Sequence, residues 1–124
     1  MIAFLLIVAA VLSQGAPPVR VPDARGGEHP IYRKLQPGEQ RSEGLLRRIV
    51  CSGRTAITLV VKRKDNTVVQ FSAPTIAAID FIAYDKNFRG PVTCEGFGDG
   101  RPVYVTWKPE GKALRAVAVE FLPR

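Results

Sequence analysis

The sequence predicts an all-β domain that folds as a small, partly open barrel of six to seven strands. Three observations support this prediction: apolar residues alternate with a period of two from Gly44 onward, β-branched residues dominate the alternating runs, and turn residues separate the runs. Many short strands in a single domain favour a barrel or a sandwich. A candidate short helix within the strand series matches the element order of an oligonucleotide/oligosaccharide-binding (OB) barrel, so the predicted architecture is OB-like.

The first three strands follow from the alternation. Residues 45–51 form the first, residues 55–62 the second and residues 67–71 the third, and a polar turn joins the last two into a hairpin. Arg47 and Arg48 lie side by side in the first strand and interrupt its alternation. This interruption predicts a β-bulge.

The region after the third strand has two interpretations. Pro74 suits the first turn of a short helix near residues 74–80, and the same region equally leads into a strand at residues 79–84. The later strands are marked by apolar alternation at Val92 and Cys94, at Val103, Val105 and Trp107, and at Val117, Val119 and Phe121.

The stretch CEGFGDGR, residues 94–101, places three glycines among charged residues. It lacks a third glycine three positions after the second, which a dinucleotide-binding fingerprint requires. It also lacks the Gly-Lys-Ser/Thr of a Walker loop and the acidic residues at every second position of a calcium-binding loop. Glycines adopt positive φ at little cost, so the stretch is predicted to be a tight or bulged hairpin. Phe97 is predicted to be an exposed aromatic residue at its tip, and Asp99 to cap the turn.

The N-terminus predicts export. The apolar run from Ile2 to Leu12, at about 1.5 Å per residue, covers only about half of a roughly 30 Å hydrocarbon core, and small residues follow it. We therefore predict a secretory signal peptide at residues 1–15 and a periplasmic or extracellular location. An uncleaved anchor and a misassigned start codon are the alternatives.

The rest of the chain divides into an arm and a domain. Residues 16–43 are rich in proline and charge and are predicted to be an extended, solvated arm or linker, with Ile31 and Tyr32 as candidate docking residues. Residues 44–124 are predicted to form the barrel.

Cys51 and Cys94 are the only cysteines, and in an exported chain such a pair predicts one disulfide. Closing a loop of about 44 residues contributes about 4 kcal/mol of stability in the chain-entropy description. The alternatives are two buried thiols or a metal pair. Two thiolates are too few for zinc, and the only histidine, His29, lies in the arm, so no metal is predicted.

The segments EGLLRRIVCSG, VVQFSAP, VTCEG, RPVYVTW and LRAVAVEF together resemble a family of uncharacterised bacterial exported domains. The resemblance covers residues 43–122 and implies an exported two-cysteine β domain behind an arm or helical repeats, with no catalytic residues to carry over. The chain departs from that pattern at Glu95, where the family has a glycine directly after the cysteine. The matching positions are Gly44, Cys51, Pro74, Cys94, Val103, Val105 and Phe121.

Neither catalysis nor a cofactor is predicted. A nucleophilic triad needs an oriented base, and His29 lies alone in the arm. Hydrolysis by paired carboxylates needs two acids fixed across a cleft. Most of the acidic side chains in the domain lie at or beside turns, namely Asp65, Glu95, Asp99 and Glu110.

The sequence supports two candidate functions, and the excess of basic residues is the basis of the second. The leading prediction is a non-catalytic accessory or protein-interaction module with an unknown protein partner. The alternative is a binder of an anionic polymer or surface, such as a cell-wall polymer or lipid head groups, because residues 44–124 hold thirteen basic and seven acidic residues. Export disfavours a nucleic acid partner. The candidate binding residues are Arg47, Arg48, Phe97, Arg101 and Tyr104, with Tyr84 and Trp107 as further stacking candidates.

Overall fold

The computed structural model describes residues 32–52, 56–85, 88 and 91–123, and the protein is all-β as predicted. The predicted signal peptide, the arm up to residue 31 and the candidate docking residue Ile31 lie outside this range. A single 3-10 turn at Ile76–Ala78 separates the third strand from the fourth. The strands are β1 (Gln40–Ser52), β2 (Ala56–Lys62), β3 (Val68–Ala73), β4 (Asp80–Ala83), β5 (Gly96–Glu110) and β6 (Ala113–Phe121).

The six strands form one sheet in the order β3-β2-β1-β5-β6-β4. The sheet curls until β3 reaches β6, where one parallel bridge, Ser72 to Arg115, joins the two strands. This contact makes a ring that is not a closed barrel, so the predicted partly open, OB-like barrel is confirmed. Strand β4 extends the sheet beyond β6 and runs parallel to it.

The predicted alternation of the first three strands is confirmed by their register. Inward-facing residues form three cross-strand rows, and seven of the nine are buried. Burial of these apolar side chains drives the curling of the sheet. The rows are Leu46–Val61–Val69, Ile49–Leu59–Phe71 and Cys51–Ile57–Ala73.

The predicted bulge in β1 is also confirmed. Leu46 pairs with Val61 while Arg48 pairs with Val60, so Arg47 is one extra residue in β1. A β-carbon on Gly44 would lie 2.6 Å from the Lys62 carbonyl oxygen, so only glycine allows β1 to approach β2 this closely.

The glycine-rich stretch is not a hairpin, so that prediction was wrong. Leu46 pairs with Arg101 and Arg48 with Gly96, which leaves β5 with three extra residues in a wide bulge opposite Arg47. Gly98 and Gly100 adopt positive φ angles of 62° and 112°. A β-carbon on Gly100 would lie 2.7 Å from that of Leu45, so Gly100 permits close strand packing, whereas a β-carbon on Gly98 would meet open space.

Residues 74–84 contain both of the predicted alternatives in sequence. The Thr75 hydroxyl accepts a hydrogen bond from the Ala78 backbone N–H at 3.2 Å and caps the 3-10 turn. Strand β4 follows at once. The strand predicted at Val92 and Cys94 is absent from the described residues, because residues 91–95 form a loop.

The predicted disulfide between Cys51 and Cys94 is confirmed, with the two α-carbons 5.8 Å apart. It joins β1 to the loop that enters β5. A structural disulfide indicates an oxidising, non-cytoplasmic compartment.

Candidate functional site

The outward surface of the barrel divides into two halves, and a segment outside the sheet contacts one of them. One half, the open face, consists of the outward residues of β1 from Leu45 to Val50, of β2 and of β3. The other half, the strapped face, consists of the outward side of β5, β6 and β4 and is contacted by the strap, the segment of residues 32–39. The open face has three rows: Leu45–Lys62–Val68, Arg48–Val60–Gln70 and Val50–Thr58–Ser72.

The open face combines exposed apolar side chains with positive charge. Val68 is 59% exposed, Val50 38% and Leu45 36%. Arg48 is exposed and Lys62 half-buried, and none of the nine residues carries a carboxylate. These three are most of the large apolar side chains that lie exposed among the described residues, so their clustering on one face is a feature of the fold.

The strapped face is buried although it points away from the core. Glu120, Thr106 and Ala118 are fully buried, and Ile82 is 2% exposed. The centre of this face is the Glu120 carboxylate. Its Oε2 accepts hydrogen bonds from the Tyr84 hydroxyl at 2.6 Å and from the Arg33 backbone N–H at 2.8 Å. The strap therefore supplies one of the two donors that satisfy this buried charge.

Three tyrosines meet beside Glu120. The Tyr32 ring lies edge-on to Tyr84 and Tyr104, with centroid distances of 4.9 and 5.1 Å. Burial raises the pKa of Tyr32, and Tyr104 and Glu120 raise it further. The sequence prediction that Tyr32 docks on the domain is confirmed, and within the strap residues 34–38 are exposed, as predicted for the arm.

Arg41 completes the cluster from β1. Its guanidinium carbon lies 5.1 Å from the centroid of the Tyr104 ring, and it donates to the Arg33 backbone carbonyl. A cation over an aromatic face is attractive. Its Nη2 also lies 3.8 Å from Glu120 Oε1, so Arg41 contributes charge compensation at the buried carboxylate.

The strap is closed on itself by Glu39. The Arg33 guanidinium donates to Glu39 Oε1 at 2.6 Å, and the Gln36 backbone N–H donates to the same oxygen at 2.9 Å. The hydrogen bond from Arg33 lowers the pKa of Glu39, and the Gln36 N–H lowers it further. Arg33 therefore fixes the strap through both its backbone and its side chain.

The predicted binding residues do not form one site. Arg48 alone lies on the open face. Arg47 donates from Nε to the Gly98 carbonyl at 3.2 Å and so supports the bulge in β5. Tyr104 is half-buried beneath Tyr32 and Arg41. The predicted stacking role is therefore not available to Tyr104 in this arrangement.

Phe97 and Arg101 lie against the core. Phe97 is half-buried, with its ring centroid 6.3 Å from that of Phe121, so the prediction of an exposed tip was wrong. The Arg101 guanidinium lies 5.2 Å from the Phe88 ring centroid and 3.9 Å from Asp85. Both residues stabilise the segment around the bulge, and their burial follows from the strand that replaces the predicted hairpin.

The other stacking candidates are also engaged. Trp107 packs on the core with its ring centroid 6.1 Å from Phe71, and its Nε1 donates to the Ser42 hydroxyl at 2.9 Å. The Tyr84 hydroxyl is bound to Glu120. No described aromatic ring lies on the open face.

Sequence reasoning missed the residues that define both faces. The alternation of the last strand does not single out Glu120, although a lone acid among apolar residues marks a candidate buried charge. The sequence predicts Lys62 at the end of the second strand and Val68 within the third, and gives no sign that the two lie in one row. Their alignment with Leu45 depends on the register between β1 and β2, which the bulge at Arg47 shifts.

Few groups that could support chemistry lie together among the described residues. An open depression of about 360 Å³ is lined by Ser42, Glu43, Arg63, Lys64 and Asp65, and in it Lys64 Nζ lies 3.6 Å from Glu43 Oε1. Within the described ranges, no group of three or more His, Cys, Asp or Glu side chains is placed to hold a metal ion. Across the same part of the chain, no helix has the length and apolar character needed to cross a membrane.

The fold and the two faces define a class: a small OB-like barrel with one disulfide and a docked N-terminal strap. No protein-family model, curated protein or solved structure matches the chain. The family resemblance noted in the sequence therefore stays a prediction.

Proposed function

We propose that the protein is an exported, non-catalytic interaction module that binds a partner protein through the open face. The observation that carries this proposal is the composition of that face. Leu45, Val50 and Val68 are exposed next to two cations, and no carboxylate lies among the nine residues. Residues that pack no core and yet expose apolar surface are typical of interaction sites.

The chemistry of the face indicates the chemistry of the partner. Lys62 lies between Leu45 and Val68 in one cross-strand row, and Arg48 begins the next row, so both cations lie beside exposed apolar side chains. A complementary surface carries apolar side chains to cover the valines and carboxylates to pair with Arg48 and Lys62. The partner is therefore an acidic, partly apolar protein surface.

A second candidate function, binding of an anionic polymer or lipid surface, rests on the net charge of +7. The local geometry favours it less. Only two cations lie on the open face, and the rings that would stack on a polymer are engaged elsewhere. Export is supported by the apolar N-terminus of the sequence and by the disulfide.

Site-specific crosslinking tests the proposal. A photo-crosslinker at position 68 of the full-length protein is expected to capture a defined acidic protein from the exported compartment of the source organism. The same crosslinker at Lys112, on the exposed β5–β6 turn, is the matched control and should not capture it. Capture from position 68 should fail in the double variant Arg48→Glu, Lys62→Glu. Equal capture from both positions, or capture unaffected by charge reversal, would contradict the proposal.

Heparin chromatography separates the two candidate functions. Arg48→Glu with Lys62→Glu and Lys108→Glu with Lys112→Glu change the net charge by the same amount. A protein-binding open face predicts equally reduced salt for elution in both double variants, because heparin then senses only net charge. A much larger reduction for the Arg48 and Lys62 pair would support the polymer-binding function. Arg47 is left intact because it supports the bulge.

A further inference from the structure

The strap binds the barrel as a short peptide ligand would. Tyr32 contacts the rings of Tyr84 and Tyr104, the Arg33 N–H binds Glu120, and the Arg33 carbonyl accepts from Arg41. The barrel thus recognises one aromatic ring and the two backbone polar groups of the next residue. Recognition of backbone groups together with one anchoring side chain is a general mode of peptide binding.

Most of the strap adds no burial to this contact. Residues 34–38 are exposed, and Leu35 is 42% exposed. Ordering these residues costs conformational entropy that no buried surface offsets. The closed strap therefore depends on Tyr32, Arg33 and Glu39, and segments with so few buried contacts open without unfolding of the whole domain.

With the strap in place, two buried polar atoms of the strapped face still lack a hydrogen-bond partner among the described residues. These atoms are Glu120 Oε1 and Thr106 Oγ1. Thr106 lies in β5 opposite Ala118, two residues from Glu120 along β6, so both atoms belong to one face. Buried polar atoms without partners cost free energy, and a ligand that supplies donors to them gains over the strap.

We propose that the strapped face is a peptide-binding site that the chain occupies with its own strap. Its ligand is an extended segment with an aromatic residue followed by a residue with a free backbone N–H, which a partner supplies when the strap lifts. The barrel residues that bind it are Tyr84, Tyr104 and Glu120, with Arg41. This site is separate from the open face, so neither proposal depends on the other.

Binding in trans tests the proposal. The probe is an acetylated peptide with the sequence of residues 32–36, YRKLQ, titrated into the full-length Tyr32→Ala variant and followed by NMR of the Tyr84 and Thr106 signals. The variant is expected to bind the peptide at least about tenfold more tightly than the wild-type chain, in which the tethered strap competes at a millimolar effective concentration. The peptide ARKLQ should not bind.

A second variant keeps the test independent of Tyr32. Arg33→Pro removes the N–H that binds Glu120, and the peptide restores that N–H, so this variant should also bind YRKLQ. Adding Glu120→Gln to Tyr32→Ala should weaken peptide binding. Absence of saturable binding to both single variants at several millimolar peptide, with the near-ultraviolet spectrum of Trp107 unchanged, would overturn the proposal.

Discussion

The open face and the strapped face are two halves of one barrel, built on the same alternation of inward and outward residues. On the open face five of the nine outward residues are exposed, with Val68 at 59%, and one of the nine, Val60, is buried. On the strapped face the outward residues Thr106, Ala118 and Glu120 are fully buried. Strand periodicity therefore decides which residues point outward, but segments outside the sheet decide which of them meet solvent.

The two faces also differ in how charge is handled. Arg48 and Lys62 pair with no carboxylate among the described residues, and Arg48 is exposed. Glu120 is removed from water and relies on Tyr84, Arg33 and Arg41. A buried charge requires specific partners, whereas an exposed charge requires none, so only the strapped face constrains the rest of the chain.

The largest change should affect both faces together. Replacing Cys51 and Cys94 by serine is expected to lower the free energy of unfolding by about 4 kcal/mol, because the loop of about 44 residues is no longer closed in the unfolded chain. Urea unfolding of the double variant, compared with the oxidised protein, measures this. A loss confined to the strap, with the barrel transition unchanged, would show that the disulfide does not support the shared core.

The second largest change should affect the strapped face. Glu120→Ala leaves the Tyr84 hydroxyl and the Arg33 N–H without their acceptor, so we expect a loss of about 3 kcal/mol in unfolding free energy. Glu43→Ala is the matched control, because that side chain is 46% exposed, and its loss should be within about 0.5 kcal/mol. Equal losses in the two variants would contradict the role given to Glu120.

Only part of this contrast between the two faces can be predicted from the sequence. The strands, the bulge at Arg47, the disulfide and the docking of Tyr32 follow from local patterns of polarity and spacing. The wide bulge at residues 97–100 does not, because glycines that reverse a chain and glycines that permit close strand packing look alike. The open face depends on register across three strands, and the burial of Glu120 depends on a segment 87 residues away.

The strap should be released from the barrel both when the pH is lowered and when it is raised. The pKa of Glu39 is lowered in the folded protein by Arg33, so its stabilisation is present above the ordinary carboxyl value and is lost as pH falls through the folded value. The pKa of Tyr32 is raised by burial, so its stabilisation is present below the ordinary phenol value and is lost as pH rises through the folded value. NMR contacts between the Tyr32 and Tyr84 rings report both transitions.

Two variants check the acid transition. Glu39→Gln removes the titrating carboxylate and should flatten the acid response of the strap. Glu110→Gln changes a carboxylate that pairs with Arg115 at 3.0 Å away from the strap, and should leave the response unchanged. If the acid transition persists in Glu39→Gln, a group other than Glu39 is responsible for it.

The smallest effect on stability should come from the open face. Arg48→Glu with Lys62→Glu changes two cations that no described carboxylate pairs with, so the free energy of unfolding should change by less than about 1 kcal/mol. Thermal unfolding measures it. A loss of unfolding free energy as large as that of Glu120→Ala would mean that these two cations stabilise the fold, which would contradict their assignment to partner binding.

Hydroxyl-radical footprinting of the free full-length protein tests most directly the claim that one face is available and the other is covered. Tyrosine rings react with hydroxyl radical more readily than valine side chains, so exposure of equal extent would label Tyr84 and Tyr104 first. We predict the reverse: Leu45, Val50 and Val68 are labelled more strongly than Tyr84 and Tyr104, which are half-buried and contacted by Tyr32. Labelled tyrosines beside protected Val50 and Val68 would contradict the assignment of the two faces.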